Sequence, residues 1–122
     1  MDVKGFAVID QDFLNTMDLI ENVEKLYKKK NFSAAVFYLD SSLNEIKISS
    51  GNLLSTIFDM TGSVLWKLGN TNDAKNFWIE AIKTDANNRH ALLSLRLLFQ
   101  MEHNSNSQTH INNNQNNLIK SL

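Results

Sequence analysis

A chain of 122 residues with a formal net charge of −1, 43% hydrophobic and 20% charged residues suits one small globular domain. It has no Cys, no Pro and only four Gly, which excludes disulfides and thiolate metal sites and disfavours a turn-rich all-β fold. Interspersed charges of both signs lack the basic excess of a nucleic-acid surface, and no window approaches the ~20 apolar residues that span a bilayer; no nucleic-acid or membrane partner is expected.

The first ten residues, from Met1 to Asp10, carry no signal-peptide-like apolar run. A soluble, cytoplasmic chain is therefore expected. An arm over residues 1–11 contains Phe6-Ala-Val-Ile9, which suits a short strand, an extended segment or a packing lid. Asp10 or Asp12 then caps a helix over about 12–29. Its apolar face is Phe13, Met17, Ile20, Val23, Leu26 and Tyr27, at helical spacing. Lys28, Lys29 and Lys30 fall in its last turn, where cations suit the negative end of the helix dipole. They read as a solvated helix end or as a basic patch for an acidic partner.

Asn31 begins a turn, and residues 32–46 read as a second helix with Ala34, Ala35, Val36, Leu39, Ser42, Leu43 and Ile46. After a loop over 47–51, a third helix spans about 53–68. Ile57, Phe58, Thr61, Val64, Leu65 and Leu68 follow the 3.6-residue period. Gly69 stands after the last apolar residue, where helices often end in a left-handed residue that Gly adopts without strain. Thr71 or Asn72 is expected to cap the fourth helix, with Asp73 in its first turn. That helix carries Ala74, Phe77, Trp78, Ala81 and Ile82, and Asp85 to Asn88 close it. Gly62 inside the third helix costs ~1 kcal/mol against Ala. A neighbouring helix approaching closely explains it, with Ala74 and Ala81 on the other side of the contact.

The closing helix, about 89–102, is apolar almost all round: Ala91, Leu92, Leu93, Leu95, Leu97, Leu98, Phe99 and Met101. More than one of its faces needs a cover, from the N-terminal arm, a second copy or a partner protein. Half of residues 104–117 are Asn, a composition that buries too little apolar surface to offset its ordering entropy. A flexible tail over 104–122 is expected.

The stretch from Phe58 to Ala86 resembles the tetratricopeptide repeat, a helix–turn–helix unit of 34 residues. With Ala74 on the first invariant Ala of that repeat, Phe58, Gly62, Leu65, Gly69, Trp78 and Ala81 take its remaining key positions. Thr61 replaces a large apolar residue, and Ala86 stands where Pro is usual. The first helix pair resembles the same repeat more weakly, with Ala35, Leu39 and Ser42 on its small and aromatic positions and Val23 on the helix-one Gly. Ala35 and Ala74 are 39 residues apart, a longer period that the 47–51 loop absorbs. The resemblance implies an all-α fold of antiparallel helical hairpins stacked as a short right-handed superhelix of about five helices. Repeat 1 takes about 12–46 and repeat 2 about 53–86, and the helical domain as a whole takes 12–103.

Carried over by position, the concave binding face of such repeats would hold Met17, Ile20, Glu24 and Tyr27 from the first pair. The second pair gives Thr56, Asp59, Ser63, Trp66 and Lys67, and the closing helix His90, Leu93, Leu97 and Gln100. Ile20, Glu24 and Asp59 do not supply the Lys and Asn that grip a terminal carboxylate in some members. An extended or amphipathic apolar segment of a protein partner fits this mixture better. Trp66 is either packed at the rim or a contact residue for the partner; Trp78 belongs to the core.

The three His are scattered, no metal-ligand cluster is visible, and neither a phosphate loop nor a nucleophile motif occurs. No cofactor or metal is expected. The sequence thus points to a non-enzymatic module: a small adaptor or chaperone. A homo-oligomeric assembly subunit or a peptide-sensing regulator are the alternatives.

Overall fold

A computed structural model describes residues 10–48 and 50–121, with side chains as far as Ser105. All regular structure among the described residues is helical. It comprises α1 (Gln11–Lys28), α2 (Phe32–Leu43), α3 (Gly51–Lys67), α4 (Thr71–Thr84) and α5 (Arg89–Ser121). Residues 1–9 of the expected arm lie outside the described residues. Asp10 and Gln11 already belong to the start of α1, where the Asp10 carboxylate accepts from the Asp12 N–H at 3.0 Å.

Two hairpins, α1–α2 and α3–α4, are joined by turns of the same construction. In the second, the Asn70 N–H donates to the Leu65 carbonyl and the Gly69 N–H to the Trp66 carbonyl, at 2.9 and 3.0 Å. In the first, Asn31 donates to Leu26 and Lys30 to Tyr27, both at 2.9 Å. These are paired six-to-one and five-to-two bonds around a left-handed residue. That residue is Gly69 at φ 83° in one turn and Lys30 at φ 59° in the other. The expected cap of α4 needs correction: the N-cap is Asn70, not Thr71 or Asn72, and its amide bonds the Asp73 carboxylate at 2.7 Å. The Schellman turn sets this position, because the residue after the left-handed one must begin the next helix. In the same way Asn31 caps α2, accepting from the Ala34 N–H.

Two core clusters share α3. Leu19, Ile20, Val23, Ala35 and Leu39 pack with Ile57 and Val64. Ala74, Trp78, Ala81, Ala91, Leu95 and Leu98 pack with Phe58, Leu65 and Trp66. Helices α3 and α4 form the most extensive helix pair, and Gly62 lies at its centre. A Cβ there would stand 2.7 Å from Trp78 Nε1 and 3.1 Å from the Ala74 carbonyl, so the α3 backbone lies against the Trp78 indole and the α4 backbone behind it with no room for a side chain. Thr61, at a position where the repeat has a large apolar residue, is buried with its hydroxyl donated to the Ile57 carbonyl at 2.8 Å.

The expected boundaries differ in three places. Helix α2 ends at Leu43 rather than near 46, and α3 starts two residues early because Ser50 caps it, its hydroxyl accepting from the Leu53 N–H at 3.3 Å. Helix α5 does not stop near 102; helical backbone continues through the Asn-rich stretch to Ser121. No Gly or Pro follows Gly69 to interrupt it, and Asn disfavours a helix interior by well under 1 kcal/mol per residue.

Candidate functional site

Helices α1, α3 and α5 enclose two adjoining open cavities of about 320 and 360 Å³. Tyr27, Ser63 and His90 line both, so the two form one groove with these three side chains at its middle. One end is walled by Val23, Glu24, Lys28, Thr56, Asp59, Met60 and Val64. The other is walled by Trp66, Lys67, Trp78, Ser94, Leu97, Leu98 and Met101. Lys28 and Lys67 are the last residues of α1 and α3. Tyr27 and Trp66 immediately precede them, again 39 residues apart. The repeated hairpin therefore places an aromatic ring and an ammonium at equivalent points of the groove wall.

Polar bonds fix the third wall. Asn88 precedes α5, and its side-chain carbonyl accepts from the Ala91 N–H at 3.0 Å. Its amide donates to the Ser55 hydroxyl at 2.9 Å, and that hydroxyl donates to the Ala81 carbonyl at 2.6 Å. One Asn thus ties the start of α5 to α3, and through Ser55 to α4. The pair that follows is Asp59 and His90. His90 Nδ1 lies 2.8 and 2.9 Å from the two Asp59 carboxylate oxygens. The Asp59 side chain is 10% exposed and the His90 side chain 70%. A carboxylate accepts only, so Nδ1 carries the proton. The backbone of Asp59 is held as well, its carbonyl accepting from Trp78 Nε1 at 3.2 Å.

No protein-family model, curated protein or solved structure matches this chain.

Of the thirteen residues expected on the binding face, Glu24, Tyr27, Thr56, Asp59, Ser63, Trp66, Lys67, His90 and Leu97 line the groove. Four do not. Met17 and Gln100 are exposed and line neither cavity. Ile20 is buried in the first core cluster, because at that point α1 turns its face onto α2 and α3. Leu93 is half-exposed and lines neither cavity; it points away from α4, whose contacts are Ala91, Leu95 and Leu98. The carry-over missed Lys28, Met60, Ser94 and Met101. The 39-residue offset of Lys28 from Lys67 was the available signal for the first; the others had none. Trp66 packs its ring 6.2 Å from that of Trp78 and also lines the groove, so its packing at the rim leaves it part of the groove wall.

Among the described residues no three His, Asp or Glu side chains gather as metal ligands. None of their helices is long and apolar enough to cross a membrane.

Proposed function

We propose that this chain is a non-enzymatic protein-interaction module, a small cytoplasmic adaptor or chaperone that holds a segment of a partner protein in the α1–α3–α5 groove. The observation that carries this reading is the continuity of the groove through Tyr27, Ser63 and His90. A concave surface of apolar walls with a few convergent polar groups is the usual form of a peptide or ligand site. The repeated turn, the repeated Tyr27 and Trp66, and the close contact at Gly62 support kinship with tetratricopeptide repeats. In those repeats the first helices of successive pairs line the binding face. The exposed His90 ring on its buried Asp59 partner serves as a binding feature; no hydrogen bond joins His90 to Ser63 among the described residues.

A second reading has one observation in its favour. Leu92, Leu93 and Phe99 stand half-exposed on α5 outside the groove, a surface that a second copy of the chain would cover. Affinity purification from the native cell together with native mass separates the two. A stoichiometric partner that crosslinks near Trp66 supports the groove. A defined homo-oligomer without a partner supports assembly through α5.

A further inference from the structure

The Asp59–His90 pair does more than close a buried charge. Asp59 fixes the proton on Nδ1, so the neutral ring presents Nε2 as a bare acceptor. Both cavities that meet at His90 count it among their lining. No hydrogen bond engages Nε2 among the described residues. A helix lying in the groove would bring no free main-chain N–H to this atom, since its amides are bonded internally. It would strip Nε2 of water and leave it unpaired. An extended segment has unpaired N–H groups at regular intervals and suffers no such loss.

The wall charges add a second constraint. Asp59 is committed to His90, leaving Glu24 against Lys28 and Lys67. Neither lysine joins an ion pair among the described residues. The surplus is cationic, and it lies at the ends of the two helices that carry Tyr27 and Trp66. Taking the groove as a peptide site, on which this rests, we propose that it holds an extended segment of apolar and acidic residues, one of whose main-chain N–H groups is accepted by His90 Nε2.

The test uses the full chain and a displayed library of random peptides of about 12 residues, ~40 Å when extended. The most enriched peptide is then synthesised with its main-chain amides N-methylated one at a time. Each version is titrated against the wild type, His90→Ala and His90→Gln, which keeps an acceptor. The expected result is enrichment of Asp and Glu beside apolar residues. One N-methyl position should cost about tenfold in affinity against the wild type, nothing further against His90→Ala, and an intermediate amount against His90→Gln. In the wild type, the ring ¹⁵N resonance of Nε2 should move on saturation with the peptide, a readout that needs no variant to fold.

Peptides that bind in the groove, shown by loss of binding in Leu97→Ser, overturn the proposal if no N-methyl position couples to His90 or if Lys and Arg are enriched. The groove reading would survive that result. A library that yields no binder, or binders indifferent to Leu97→Ser, overturns the groove reading and this proposal with it.

Discussion

Lys30 and Gly69 stand at the same place in two turns of the same hydrogen-bonding pattern, both with positive φ. Only one of them is glycine. The left-handed conformation costs an L-residue about 1 kcal/mol or more, so the first hairpin stores strain that the second avoids. Lys30→Gly is expected to stabilise the chain by ~1 kcal/mol. Gly69→Ala is expected to destabilise it by a similar amount, through conformation alone, because nothing lies within 4 Å of the added Cβ. Urea midpoints of the two variants, read against the wild type at unchanged slope, check both signs.

Gly62 sets a different kind of limit. Helix propensity favours Ala there by ~1 kcal/mol, but the added methyl meets the Trp78 indole 2.7 Å away with the Ala74 carbonyl behind it. Gly62→Ala should therefore destabilise, by ~1–3 kcal/mol of overpacking. Ala74→Leu, on the facing helix at a fully buried position, should do so by a similar amount. A Tm for either variant at or above that of the wild type would show that the helices can move apart without loss.

Asn88→Ala removes the cap of α5 and the bond to Ser55 together. The expected cost is ~1–2 kcal/mol. Ser55 keeps its bond to the Ala81 carbonyl, so α3 and α4 should remain paired. The loss should appear in the far-UV signal and solvent protection of α5 before that of the other helices.

Leu93 and Leu97 separate the two functional readings. They are one helical turn apart, and only Leu97 lines the groove. If the groove binds a peptide, Leu97→Ser weakens that binding and Leu93→Ser leaves it alone. If α5 is an interface between copies, Leu93→Ser lowers the native mass measured by light scattering.

Much of the fold was legible because its causes are local. The 3.6-residue apolar period marked all five helices, Gly69 marked a stop, and Gly62 with Ala74 and Ala81 marked a close helix contact. The features that were not legible have causes that are not local. Lys30 gives no hint of a left-handed turn until its position is matched to Gly69. The cap at Asn70 follows from that turn rather than from Thr71 being a better capping residue. Asp59 and His90 are 31 residues apart, and nothing near either one announces their pairing. Ile20 was expected in the groove because the face of α1 was read as one stripe, whereas the stripe divides between core and groove.

Consecutive residues of α3 serve opposite sides of the molecule. Ile57 and Val64 belong to one cluster, Phe58 and Leu65 to the other. Neither cluster can dissolve without uncovering this helix. Its amides should be the slowest in the chain to exchange with deuterium, near the limit set by global unfolding. Helices α1 and α5 each border one cluster only, so they can open separately at lower cost. The floor of the groove is then expected to be stiffer than its two sides. An occupant that closes those sides would raise amide protection in α1 and α5 together, although the two helices belong to different clusters.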